Sequence, residues 1–496
     1  MNTWLDTLAP TPVWKQFRLM CDTPRPSFHE KQLRDHLVVW AQSKNLESSV
    51  DEVGNLFIFK NATAGMEQCE TTVLQGHLDM VAQKEPDSTH NFETDSLETY
   101  EEDGWVHARG TTLGADNGIG VAAILAVLDA NDIPHGPIEA LFTIEEETSL
   151  RGAAQLSPGV LKGTRLLNLD SEDRGDVYIG CAGGIDINVA NKYRAERSDK
   201  LNTGLQLEVI GLKGGHSGLD IHKGLANANV LMTRILSELS EITEFGLCSF
   251  EGGTLRNAIA RDAKATIVLS EQNLDAALSF IKTMSVTLAA EFSDTDVNLQ
   301  LTSQAVPAAP HLEQADQRAF LKALSVAPNG VHRMSPILKG VTETSCNFGV
   351  VRLLPQGSGI SFSACLLVRS LVDTQTDYLA RVAAAPFELI GCDVLLENGY
   401  PGWKPQPDQG LLKQFNQIHQ DVMGFEPNVK VIHAGLECGI IGSKYPNMEM
   451  VSFGPNIRGA HSPSERLEIA SVAEFWNLLK AMLAATPKAT DSLPQP

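Results

Sequence analysis

Residues 71–81 read TTVLQGHLDMV. The apolar run TTVLQ has the length of a buried strand, and Gly76 and His77 follow at its end. The same layout recurs along the first third of the chain. IEALFTI (138–144) runs into Glu146 and Glu147, and RLLNLD (165–170) ends on Asp170. Helix-spaced stretches lie between and before these runs: HEKQLRDHLVVWAQSKNL (29–46), then NGIGVAAILAVLDA (117–130) just after Asp116. Strand NLFIFK (55–60) completes the alternation. Strands alternating with helices predict an α/β domain whose mixed, largely parallel sheet carries helices on both faces. Such sheets bind ligands beyond the carboxyl ends of their strands. His77, Glu146, Glu147 and Asp170 all fall there.

Asp116, in GTTLGADNGIG (110–120), and His461, in RGAHSPSE (458–465), are further ligand candidates, beside His77, Asp170 and a ligand from the Glu146–Glu147 pair. Two imidazoles and three carboxylates suit a pair of divalent ions, zinc foremost, with cobalt and manganese also acceptable to so carboxylate-rich a set. Ligands spread from residue 77 to residue 461 exclude a local zinc finger; they must converge in the folded domain. The last hundred residues resume the α/β pattern. NVKVIHAGLECGII (428–441) and MEMVSFGP (448–455) read as strand-to-loop segments, and Ser471 with Glu474 as a capping box opening the helix VAEFWNLLKAMLAA (472–485). The catalytic domain is therefore expected in two parts, residues 1–184 and 401–496, with residues 185–400 inserted. The tail TPKATDSLPQP (486–496) reads as disordered.

The insert has its own rhythm. Strand LQLEVIGL (205–212), helix NANVLMTRILSELS (227–240), strands TLRNAIA (254–260) and KATIVLS (264–270), helix LDAALSFIKTMSVTLAAEF (274–292) and strand VNLQLTS (297–303) give a β-α-β-β-α-β order, the ferredoxin-like pattern. A second pass runs from helix QRAFLKALS (317–325) through strands SCNFGVVRL and ISFSACLLVRS and helix DYLARVAAAPFELI to strand CDVLLENG (392–399). It reads as a degenerate tandem repeat without its first strand: an α+β lid of two ferredoxin-like units.

Composition narrows the function. The 496 residues carry a net charge of −22 and no Lys/Arg block, which argues against nucleic acid and anionic membrane as partners. The longest apolar runs are too short to cross a bilayer. The N-terminus lacks a basic start before an apolar segment, so a cytoplasmic protein is expected. Eight cysteines are spread singly, and Cys69, Cys181, Cys365 and Cys438 sit in apolar segments as expected for buried thiols. GADNGIG lacks the spacing and distal acid of a dinucleotide site.

GHLDMV, TTLGADNGIG, the Glu145–Glu147 triplet, DSED, GGHSG and GAHSPSE, in this order, resemble the di-zinc metallopeptidases related to aminoacylase and glutamate carboxypeptidase. HAGLECG and the large insert resemble their aminoacyl-histidine dipeptidase branch. The resemblance implies His77 and Asp170 on one zinc, Glu147 and His461 on the other, and Asp116 bridging. It makes Asp79 the carboxylate that orients His77 and Glu146 the general base, since Gly152 stands five residues after Glu147. Relatives often carry a cis Asp-Asp peptide where this chain has Asp116-Asn117. His216 matches the lid histidine that stabilises the oxyanion, and Asn257 and Arg369 match groups that hold the substrate carboxylate. His433 and Glu437 either line the site or lie buried behind it. The implied function is hydrolysis of unblocked dipeptides, preferring C-terminal His and including β-alanyl-histidine. A tripeptide aminopeptidase, an N-acyl amino-acid deacylase or a non-catalytic binding protein on the same scaffold are the alternatives. A homodimer is left open.

Overall fold

The computed structural model describes residues 2–489. The chain divides into two compact units. The first comprises residues up to Gly180 with Pro405–Val431 and Leu436 onward; the second comprises Cys181–Lys404 and Ile432–Gly435. The seams fall at Gly180/Cys181 and Lys404/Pro405 rather than after residues 184 and 400, and a four-residue loop of the third segment joins the second unit.

The first unit is built on an eight-stranded sheet. At its centre Ile138–Thr143, Thr72–His77, Arg165–Asn168 and Glu449–Ser452 lie side by side and parallel. Every residue of the first three is buried, so both faces of the sheet are covered. The helix Ala115–Asp129 is buried along almost its whole length, as its GIGVAAILAVL core demands. Leu56–Lys60 and Glu47–Val50 extend one edge antiparallel. A separate four-stranded sheet pairs Trp105–Ala108 with Arg466–Glu468 and the latter with Ile457–Arg458, so His461 and Glu465 sit on the loop of a hairpin.

Two expectations in this unit are corrected. Ser471 does not open a helix: the helix runs Ile469–Ala484, and the Ser471 hydroxyl donates to the Glu468 carbonyl and accepts from Asn456 N–H. Glu474 pairs instead with Arg174. HAGLECG is not all loop, since Glu437–Lys444 is helical. Of the tail read as disordered, residues 490–496 lie outside the described residues. Before them, Glu70 and Ala489 N–H groups bond the carbonyls of Pro487 and Gln68, which ties residues 487–489 to the fold.

The second unit is a ten-stranded sheet. Its first half runs Gln300–Val306, Thr203–Ile210, Ala263–Leu269, Phe245–Gly252, all antiparallel, with helices Ala228–Ser240 and Leu274–Glu291 in the connections. In chain order this is 4-1-3-2 of a β-α-β-β-α-β unit. Its second strand is Phe245–Gly252, not TLRNAIA, of which only Ala258–Ile259 is strand. The second half runs Thr342–Gln356, Gly359–Ser370, Gly183–Glu196, Asp393–Tyr400, which is 2-3-1-4 of the same pattern. Its first strand is thus Gly183–Glu196, which precedes all four strands of the first half in the chain. The repeat is nested, not tandem: one unit is inserted after the first strand of the other. Pairing of Phe250–Gly252 with Val351–Leu353 fuses the halves into one sheet.

Candidate metal centre

The parallel strands deliver their polar residues to one edge of the first unit. His77 ends Thr72–His77, Glu146 and Glu147 open the short helix after Ile138–Thr143, and Asp170 follows Arg165–Asn168. Asp116 lies in the first turn of the buried helix, and the Asp116–Asn117 peptide is cis. His77 Nε2 stands 3.2 Å from Asp116 Oδ1 and 3.4 Å from Asp170 Oδ1. His461 Nε2 stands 3.3 Å from Asp116 Oδ2 and 3.0 Å from Glu147 Oε2. The two oxygens of Asp116 therefore face two different imidazoles. Glu146 Oε2 is 4.0 Å from His77 Nε2, and its carboxylate makes no hydrogen bond among the described residues.

Asp79 is fully buried beside His77, with Oδ1 3.3 Å from Nδ1. Its carboxylate also accepts from Glu146 N–H at 3.0 Å, Glu147 N–H at 3.2 Å and Ser27 Oγ at 2.7 Å. One carboxylate thus fixes the imidazole and the start of the Glu146–Ser149 helix together, as an N-terminal acid does. Glu145 turns away from the cluster in a left-handed conformation, φ 53°, and its side chain binds Arg151.

The sequence reading missed Glu465, Arg25 and Glu30, which brace these loops; it leaves Glu437 open between lining the site and lying behind it. Glu465 accepts from Leu113 and Gly114 N–H at 2.8 Å each and from Asp116 N–H at 3.2 Å. Arg25 is buried and donates to the carbonyls of Leu78, Asp79 and Gly114. Glu30 accepts from Glu145 N–H at 3.0 Å. Glu437 is buried behind the strand ends, where Oε2 accepts from Gln75 at 2.6 Å and Thr143 at 2.7 Å. Glu465 lay within the quoted SPSE motif; for Arg25 and Glu30 the sequence offered no signal.

The electrostatics are those of a site built for cations. Burial pushes Glu146 and Asp170 well above the usual carboxylate range, although His77 opposes it. Burial also disfavours the Asp116 carboxylate, but bonds to His461 and His77 outweigh it and hold that group far below its ordinary value. Bonds to Asp116 and Glu147 push His461 up to about 11. Glu147 Oε1 is buried without a hydrogen-bond partner among the described residues. The potential ligand atoms of His77, Asp116 and Asp170 lie within 4.8 Å of one another, as do those of Asp116, Glu147 and His461 and those of His77, Glu146 and Glu147. An N/O donor set with an orphaned buried oxygen and crowded carboxylates fits divalent ions.

In the second unit, Gly215–His216 pairs with Ala258–Ile259, which sets Asn257 beside the His216 turn; Ser217 N–H donates to the Asn257 carbonyl at 2.9 Å. His216 Nδ1 accepts from Gly218 N–H at 3.1 Å and Leu219 N–H at 3.0 Å. Two donors on Nδ1 put the ring proton on Nε2. Burial and then Arg369 keep the imidazole pKa low, so it is a neutral donor. Arg369 is buried, donating to Ser217 Oγ at 3.3 Å and Tyr400 Oη at 2.7 Å, with no carboxylate partner among the described residues. His433 bonds Ser345 Oγ at 2.8 Å, and burial, then Arg369, pushes it down to about 3.

Residues 73–485 match the sequence profile of Peptidase family M20/M25/M40, and the chain belongs to that family of peptide-bond hydrolases. It is 42% identical over 97% of its length to the cytosol non-specific dipeptidase of Escherichia coli (strain K12), covering 99% of that protein. The crystal structure of aminoacylhistidine dipeptidase from Vibrio alginolyticus superposes with a TM-score of 0.92 at 42% identity, covering 99% of this chain and 100% of that one. Aminopeptidase PepT from Bacillus cereus shares the fold at a TM-score of 0.56 and 15% identity, covering 96% of this chain and 98% of that one. Among the described residues no helix is long and apolar enough to cross a membrane.

Proposed function

We propose that this chain is a cytoplasmic dipeptidase that cleaves unblocked dipeptides, preferring C-terminal His, with two divalent ions of the zinc, cobalt or manganese kind. The observation that carries the reading is Asp116, whose two oxygens each face a separate imidazole and carboxylate. His77 and Asp170 would hold one ion, Glu147 and His461 the other, and Asp116 both. When bound, such a pair supplies an acidified water and polarises the peptide carbonyl. The chain's own residues do the rest. Asp79 fixes His77 and points the backbone of Glu146 and Glu147, so that one Glu can serve as ligand while its neighbour stays free. Glu146, whose carboxylate makes no hydrogen bond among the described residues, takes a proton during attack and returns it to the leaving amine. His216, with its proton on Nε2, donates to the oxyanion. Arg369, a buried cation with no carboxylate partner among the described residues, holds the C-terminal carboxylate with Asn257. The His preference rests on likeness to the Vibrio enzyme.

The test is one panel of β-alanyl-His, Leu-His, Leu-Gly, a tripeptide and an N-acetyl amino acid, with ion-loaded and chelator-stripped protein. Ion-dependent cleavage of the free dipeptides alone is expected. Turnover mainly of the tripeptide or the acylated substrate would overturn the reading in favour of those activities. Glu146→Ala is expected to abolish turnover at full ion content; loss of the ions instead would mean that the two Glu roles are exchanged.

A further inference from the structure

The second unit contains a row of three residues across three strands: Arg369, Gly184 and Tyr400. Arg369 lies opposite Gly184 in one ladder and Tyr400 lies opposite Gly184 in the next. Residues opposite one another in neighbouring strands share a face. Gly184 lacks a side chain, and the Tyr400 phenol occupies the space: a Cβ there would come within 2.7 Å of the Tyr400 oxygen. Gly435 leaves room on another side, where a Cβ would meet the ring at 3.0 Å. The two glycines form a slot for this ring, and a glycine within a strand commonly marks such a close approach. Arg369 Nη1 reaches across Gly184 to the phenol oxygen at 2.7 Å.

A phenol has one proton to donate and lone pairs to accept. Arg369 uses the accepting side. The Tyr400 proton has no acceptor among the described residues, and the residue is part-buried. Burial raises the phenol pKa, against the opposite pull of Arg369, so it remains a neutral donor. Among the described residues neither donor bonds a carboxylate.

We propose that Tyr400 is a substrate-recognition residue whose phenol O–H donates to the C-terminal carboxylate of the peptide beside the Arg369 guanidinium. This rests on the reading that Arg369 holds that carboxylate. It makes a free C-terminal carboxylate, rather than any particular side chain, the feature that this part of the protein selects.

The experiment measures kcat and KM of the ion-loaded wild type and of Tyr400→Phe on a dipeptide and on the same dipeptide as its C-terminal amide. Phe keeps the ring in the slot and removes only the hydroxyl, and thermal melting checks that the fold is retained. The wild type should favour the free acid. Tyr400→Phe should lower that preference about tenfold or more, the range for a hydrogen bond to a charged group, mainly through KM. Its kcat/KM on the amide should fall less, because the amide carbonyl accepts only a neutral hydrogen bond. An equal loss on acid and amide would overturn the role of Tyr400, because a merely structural residue would affect both alike. An unchanged preference in Tyr400→Phe would overturn it too. A wild type indifferent to acid and amide would instead remove the Arg369 reading on which the proposal stands, and is read from the wild type alone.

Discussion

Glu465 offers a sharp test of how the Asp116 loop is held. Its carboxylate is buried and satisfies three backbone N–H groups, those of Leu113, Gly114 and Asp116. A buried donor without a partner costs about 1–3 kcal/mol. In Glu465→Gln one oxygen becomes an NH2 group, which sets a donor against at least one of the three. The expected loss is about 1–3 kcal/mol of unfolding free energy. In Glu465→Ala all three lose their acceptor; water entering the space would satisfy some of them, leaving a loss of about 3 kcal/mol. Because Asp116 hangs from the same loop, ion affinity should also fall, by roughly 10–100-fold as for other groups that orient ligands. Burial pushes Glu465 up to about 7, so the comparison belongs at pH 8, where the wild-type group is ionised. Urea unfolding of the ion-free protein gives the first quantity, and competition with a chelator gives the second. A Glu465→Gln protein with wild-type unfolding midpoint and wild-type ion affinity would refute the argument.

Two further outcomes are expected. Gly218→Ala would put a Cβ 1.9 Å from the His433 carbonyl oxygen, so the turn that supplies N–H groups to His216 must shift. A stability loss of about 1–3 kcal/mol and a fall in kcat at unchanged ion content should follow, and an active variant with unaltered melting would contradict this. In the ion-free protein His461 is pushed up to about 11 and His77 well above its ordinary value, so both hold protons at neutral pH. The ion-free fold has the stabilisation from these charged pairs in full below the ordinary histidine pKa and loses it as pH rises toward about 11. Ion binding competes with the same protons, so affinity should rise with pH and binding should release protons. Calorimetry in buffers of different ionisation enthalpy measures the release; a buffer-independent heat would count against it.

The clustering of His77, Glu146, Glu147 and Asp170 was legible because each follows an apolar run, and the end of a parallel strand is a place that local sequence pattern can mark; Asp116, at a helix start, and His461, on a hairpin loop, carry no such mark. The braces were not. Arg25 serves carbonyls at 78, 79 and 114, and Glu30 serves residue 145, so nothing nearby in sequence reports their work. Phe245–Gly252 escaped notice because glycines interrupt its alternation, and TLRNAIA, with a better apolar pattern, took its place. The helix at Glu437 was hidden by the glycines around it. Nesting in the second unit was beyond local reading for another reason: Gly183–Glu196 looks like any strand, and only its pairing reveals to which unit it belongs.

That nesting dictates an order of assembly during synthesis. Gly183–Glu196 emerges before either of its principal partners, Gly359–Ser370 and Asp393–Tyr400, and must wait while the inserted unit is made. The inserted unit is contiguous in the chain and can close on its own, so it should be complete first. When it closes, it brings the ends of the waiting segment together: Glu196 and His311, on either side of the insertion, are opposite one another in the finished sheet. The long connection thereby becomes a short one, and the entropy of closing the outer unit is largely met by the folding of the inner one.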